Sequence, residues 1–202
     1  MSPAALAATH ALRDASHFQW YVVPLFAFVV YFYCLEAAER RWNIVVAGLA
    51  FWSIEWIGEI INSLVLHFSG HAPLWGEPGR TSYLILVGIN VETALMFMVF
   101  GLAVGKMMQV VANRWLVVAG FSLFAVAVES LLHAWGALTW DWRFWGWPHL
   151  WSVVLFAYAP AVAFTVWIHD RRSRRLQLQL IGAVMALDAL CFVVFMGILG
   201  WI

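Results

Sequence analysis

Six stretches of the chain, residues 20–38, 43–67, 82–108, 114–137, 149–168 and 178–201, are apolar runs that carry few charges. A helix needs about 20 such residues to cross the hydrocarbon core of a bilayer. Within that core the backbone must satisfy its own hydrogen bonds, and a helix does so inside one segment. The chain is therefore predicted to be all-α: a polytopic membrane bundle of six transmembrane helices, forming a single membrane domain over residues 1–202. Composition leaves room for little else. Apolar residues make up 64% and charged residues 11%, against about 25% charged in soluble domains. Asn-Arg, Gly-Pro and Arg-rich stretches punctuate the runs. No internal repeat or low-complexity segment is evident.

Basic residues set the direction. Arg40 and Arg41 follow the first span, Lys106 and Arg114 lie between the third and fourth, and Arg171, Arg172, Arg174 and Arg175 separate the fifth and sixth. Eight of the eleven basic residues thus fall on one side, and only Arg13, Arg80 and Arg143 on the other. The positive-inside rule places the eight in the cytoplasm. The expected setting is a bacterial-type inner membrane or a plasma membrane, with the N- and C-termini outside. A formal net charge of zero argues against nucleic acid as a partner. The opening residues, "MSPAALAATHALRDASHFQ", lack a basic start followed directly by an apolar core, so they do not read as a signal peptide. They read as a short helix on the membrane surface. Cys34 and Cys191 lie in apolar runs without CxxC spacing. They are expected to be small core residues, with an interhelical disulfide as the alternative.

Ionisable residues inside a membrane are costly and usually functional. Here they cluster. The second span carries Glu55, Glu59 and Asn62, the third Asn90 and Glu92, the fourth Glu129, Ser130 and His133, the fifth Tyr158, and the sixth Asp188. At about 1.5 Å per residue, Glu55 and Glu92 fall near mid-bilayer and Glu59 and Glu129 about one turn further out. His133 is one more turn outward, and Asp188 is near the centre. Residues four apart share a helix face, so Glu55 and Glu59 form one stripe, continued by Asn62, and Glu129 and His133 form another. Gly58 and Gly88 are expected to allow close helix approach near this belt. Glu36 and Glu39, beside Arg40 and Arg41, read as a solvated helix end.

No span carries Lys or Arg at the depth of the belt. Ionised carboxylates buried there without partners cost several kcal/mol each. Three arrangements relieve this: protonation, a bound metal ion, or a water-filled path. Each implies a function. A neutral carboxylic acid in an apolar site is a proton donor, and a second carboxylate can act as base. Protonating an alkene or epoxide gives a carbocation that aromatic faces stabilise. Trp52, Trp56, Asn62, Asn90 and Tyr158 are the expected pocket residues. The two outward connections, "SGHAPLWGEPGR" and "GALTWDWRFWGWP", read as interfacial anchors or as an aromatic lid over a cavity.

The motif "WSIEWIGEIIN" in the second span, with Asp188 in the last, resembles the small integral-membrane terpene cyclases of meroterpenoid biosynthesis. These carry a tryptophan beside an acid in an early span and another acid late in the chain. The resemblance implies Glu55 or Glu59 and Asp188 as functional acids. The residues alone leave two further possibilities. Glu59, Glu92, Glu129 and His133 could ligate iron, manganese or zinc, in a site for oxidising or hydrolysing a lipid. A proton- or cation-coupled transporter would use the same acids as a relay. The sequence thus points to an integral-membrane enzyme for a hydrophobic small-molecule substrate, with Glu55, Glu59, Glu92, Glu129, His133 and Asp188 as candidate catalytic residues.

Overall fold

A computed structural model describes residues 1–78 and 83–202; Arg80 and the first residue of the expected third span lie outside them. The fold is helical apart from one small hairpin. Helix α1 spans Pro3–Ala11, α2 Val22–Ala38 and α3 Trp42–Ser69. Strands β1 (Leu84–Leu86) and β2 (Ile89–Asn90) pair antiparallel. Helices α4 (Val91–Val110), α5 (Arg114–Ala134), α6 (Leu150–His169) and α7 (Arg174–Ile198) follow. Among the described residues five helices, α3 to α7, are long and apolar enough to cross a membrane; α2 is apolar but shorter, at 17 residues.

Local chemistry sets the helix ends. Ser2 caps α1 through Ala5 N–H, with Pro3 in the first turn where its missing N–H does no harm. Asn113 caps α5 and Ser173 caps α7. Gly70 ends α3 in the left-handed conformation, φ +59°. The expected third span, 82–108, starts too early. Asn90 accepts from Thr93 N–H at 2.7 Å and begins α4 only at Val91, and the residues before it form the hairpin. The last helix departs the other way, beginning at Arg174, four residues before the expected 178.

Helices α3 and α4 form the centre of the bundle. Their approach depends on Gly48, Gly101 and Gly105. A Cβ on Gly101 would lie 2.7 Å from Phe51 Cβ and 2.8 Å from Gly48 Cα. The close approach is therefore here and not at Gly58, where an added Cβ would meet nothing. Phe51, Val104, Val117, Val126 and Val162 join α3, α4, α5 and α6 in the main apolar core. Helix α7 lies at the edge, with Leu178, Met185, Leu190 and Val193 exposed. Both cysteines are free, and Cys34 is exposed on α2, so it is no core residue.

One end of the bundle gathers the basic residues. Glu36 is fully buried, not solvated, because Arg41 Nε and Lys106 Nζ each reach it at 2.6 Å. Arg114 pairs with Asp170 at 2.9 Å, and Arg174 lies over the Trp42 ring. At this end the Asp170 carboxyl is held below its ordinary value: burial opposes this, but Arg114 and His169 outweigh it.

The opposite end is a cap built from three segments. Ala5, Ala8 and Ala11 of α1 are buried, in clusters with Leu66, Ala72, Val87 and Leu84. Ser2 Oγ donates to Asp141 at 2.6 Å. Gly76 and Thr139 exchange backbone hydrogen bonds, Trp142 Nε1 donates to Ala72 O, and Trp75 stacks on Trp145 at 5.7 Å. The N-terminal helix is thus part of the cap, and the two aromatic connections lock together.

Candidate functional site

Beneath the cap lies a cavity of about 640 Å³ between α4 and α5, walled also by α3 and α6. Four carboxylates border it: Glu59, Glu77, Glu92 and Glu129. The aromatic residues Trp75, Phe97, Phe100 and Tyr158 complete much of its wall. The volume suits an organic ligand. Among the described residues, none that lines it is basic.

Glu59 projects from the half of α3 nearer the cap and is almost fully buried. Its Oε1 accepts from Trp75 Nε1 at 3.0 Å, while Oε2 is buried with no protein partner. Trp75 is fixed in turn by Asn62, which accepts from Leu74 N–H and donates to Trp75 O, both at 2.7 Å. Asn62 therefore anchors the cap and does not line the cavity. Gly88, in the hairpin turn, makes room for this arrangement. A Cβ there would lie 2.7 Å from both Glu59 Oε2 and Trp75 Nε1 and would collide with Asn62.

Glu129 comes from α5. Its Oε1 accepts from Tyr158 O–H at 2.7 Å, and its Oε2 is buried without a hydrogen bond among the described residues, the Trp140 indole lying near the carboxyl. Tyr158 sits on a π-helical turn, residues 154–158. Pro160 lies just beyond, without an N–H to continue the ladder; such turns are frequent at functional sites. Glu55, one turn below Glu59, leaves Oε1 buried without a partner.

Glu77 joins the site from outside the expected belt. It lies in the connection read as an interfacial loop, yet it is buried, with Oε1 accepting from Thr93 Oγ1 at 3.0 Å. Burial pushes its carboxyl up to about 8, against the Thr93 hydrogen bond, and nearby Glu92 and Glu129 add to the rise. Glu92 lines the cavity but not at mid-helix depth. It stands in the first turn of α4 and accepts from Tyr21 O–H at 2.6 Å. Asn90, capping the same helix, lines the cavity as expected.

Other expected residues lie elsewhere. His133 Nδ1 meets Leu138 O at 3.1 Å and its ring stacks on Trp140, so it braces the cap. Trp52 and Trp56 pack edge to face, and Trp56 meets Phe192 of α7. Neither lines the cavity, nor does Asp188, which is buried on α7. Among the described residues no three His, Cys, Asp or Glu side chains gather as a metal requires. The expected quartet of Glu59, Glu92, Glu129 and His133 fails because the imidazole is turned to the cap.

The profile of an uncharacterized membrane protein family matches residues 2–197. A protein of Archaeoglobus fulgidus described as uncharacterized is 36% identical over 199 residues, covering 95% of this chain and 94% of its own length. A second, shorter protein of that organism, also described as uncharacterized, is 40% identical over 50 residues, covering 25% of this chain and 89% of its own length. No solved structure matches. The chain belongs to this family of membrane proteins.

Proposed function

We propose that this member of the family is an integral-membrane enzyme that performs acid–base chemistry on an isoprenoid-like, lipid-soluble substrate. The observation that carries the reading is the pair Glu59 and Glu129. Each has one oxygen held by a protein donor and one buried oxygen without a partner, and both border the same cavity.

Carboxylates that share one apolar cavity do not all ionise. The short hydrogen bond from Tyr158 suits an anion, so Glu129 is the base. Glu59 has a single indole N–H on Oε1 and a free, buried Oε2, so it is assigned the proton. Glu59 delivers that proton to a carbon of an alkene. The faces of Trp75, Phe97 and Phe100 stabilise the resulting cation. In cyclisation a neighbouring double bond supplies the electron pair for a new C–C bond. In isomerisation no bond between carbons forms. In both, a C–H proton leaves to Glu129 and a double bond remains. The resemblance of the α3 motif to membrane terpene cyclases supports this class of reaction, with Glu129 in place of the late acid Asp188.

We read α2 as a sixth span, with exposed Trp20 and Tyr21 at its outer end as interfacial anchors. The cap and both termini face outward, and the basic end faces the cytoplasm.

Proton delivery to carbon leaves a trace whatever the identity of the substrate. Proteoliposomes carrying a total lipid extract in deuterated water are expected to accumulate a lipid with non-exchangeable deuterium on carbon, read by mass spectrometry. Glu59→Gln and Glu129→Gln should each abolish it. A wild-type protein that labels no alkene-bearing lipid, or a Glu59→Gln variant that labels at full rate, would end this assignment.

A further inference from the structure

A second cavity, of about 480 Å³, lies between α4 and α5 on the side toward the basic end. Its walls are Met107, Val111, Leu116, Val117, Gly120 and Phe121, with Phe124 at one end. No lining side chain is polar. Phe124 also lines the carboxylate cavity, so one ring stands between the two spaces. Phe100, on the wall of the first cavity, stacks on Phe124 and meets Phe121 edge to face. The carboxylate cavity has exposed side chains on its rim, Met96 and Phe124 among them. It therefore opens sideways between α4 and α5, toward the hydrocarbon of the membrane.

The two spaces form one line with a change of chemistry along it. Buried, unpartnered carboxyl oxygens of Glu59 and Glu129 mark one end. The wall of the other is wholly apolar. Thirteen residues separate Glu129 from Leu116 on α5, a rise of roughly 20 Å, or about two thirds of the hydrocarbon thickness. Gly120 keeps the lower part open: a Cβ there would meet nothing within 4 Å. Few ligands match such a line. Its polar end must accept from the free oxygen of the Glu59 carboxyl and donate to that of Glu129, as a hydroxyl does, and the rest must be a long, narrow hydrocarbon that passes Phe124.

We infer that the α4–α5 groove is the tail-binding half of the substrate site, holding the hydrocarbon chain of a lipid whose hydroxyl-type end lies at Glu59 and Glu129. This rests on the reading of the carboxylate cavity as a lipid site. It adds that the lipid enters between α4 and α5 and that chain length is recognised below Phe124. Phe124 is then a specificity-determining residue: short chains end above it, and long ones require its ring to turn aside.

Photolabelling tests this without any turnover. The probes are 1-alkanols carrying a diazirine at the far end, one octyl and one eicosyl, added to proteoliposomes of a saturated phospholipid. Labelled peptides are mapped by mass spectrometry. The eicosyl probe is expected to label residues 116–121, and the octyl probe to label residues 96–100. Gly120→Phe fills the groove from a position with free space. It should lower eicosyl labelling of 116–121 by about tenfold, a binding difference of one decade, and leave octyl labelling of 96–100 unchanged. Gly182→Phe, at an equally open glycine on α7, should change neither. If Gly120→Phe does not assemble, Gly120→Leu gives a smaller loss in the same direction. The inference is overturned if both probes label the groove equally, as a simple lipid coat would, or if filling Gly120 has no more effect than filling Gly182. Groove labelling with no deuterium incorporation would sustain this site and remove only the acid–base chemistry.

Discussion

Glu77 shows how far a single side chain can depart from what its place in the chain suggests. It sits in a Gly-Pro connection, yet Thr93 and the cap enclose it, and its carboxyl is pushed up to about 8. A raised value in the folded state means that folding favours the protonated form. The stabilisation is complete below the ordinary value of 4.5 and is lost as pH rises through about 8. The melting temperature in detergent is expected to fall across that window, and Glu77→Gln should flatten the fall. A wild-type profile already flat there would refute this. At Tyr158 the expected change is in the site. Tyr158→Phe leaves Glu129 Oε1 buried without its donor, at a cost of about 1–3 kcal/mol, and should slow deuterium incorporation while the fold survives. Unaltered labelling in that variant would remove Tyr158 from the reaction. The sequence exposed Glu55, Glu59 and Glu129 because a charge in an apolar run stands out. Glu77 was hidden because its burial comes from the fold of the hairpin and α4 around it, with Val87 and Thr93 as partners, and not from an apolar run of its own.

Among the elements, helix type was legible, and helix ends less so; of the six expected spans, five among the described residues are long and apolar enough to cross a membrane. Apolar length marks a span, but the start of α4 depends on one capping side chain, Asn90, and on a hairpin that hydropathy alone extends into the helix. That shift moved Glu92 from mid-span to the first turn, where its charge suits the helix N-terminus. Glycine roles were legible only in part. Spacing suggested Gly58 as a contact, whereas Gly101 carries the α3–α4 crossing. The two positions should respond oppositely. Gly101→Val forces its Cβ against Phe51 and the Gly48 backbone, and is expected to destabilise by about 1–3 kcal/mol or more. Gly58→Ala adds a methyl in open space and is expected to be neutral or to stabilise by up to about 1 kcal/mol. Denaturation in mixed micelles reads both. Equal losses at the two sites would show that the close approach is not where the crossing strength lies.

For the whole molecule, the distribution of charge does what no single helix does: it gives the bundle two different ends. Glu36 with Arg41 and Lys106, and Arg114 with Asp170, clamp α2, α3, α4 and the α6–α7 turn at one end. Aromatic rings and backbone pairs close the other. A carboxylate cavity directly under the aromatic cap is then offset toward one leaflet, so orientation decides which leaflet supplies the lipid. The proposed orientation puts the cap outside. In a background with Cys34 and Cys191 replaced by alanine, a membrane-impermeant maleimide applied to intact cells is expected to label Phe144→Cys at once and Arg172→Cys only after permeabilisation. Phe144 is exposed in the cap, and Arg172 lies in the basic turn. The opposite order would invert the molecule and direct the search for a substrate to the cytoplasmic leaflet. Labelling of both from outside would mean that the basic end does not anchor in the cytoplasm, and the positive-inside assignment would fall with it.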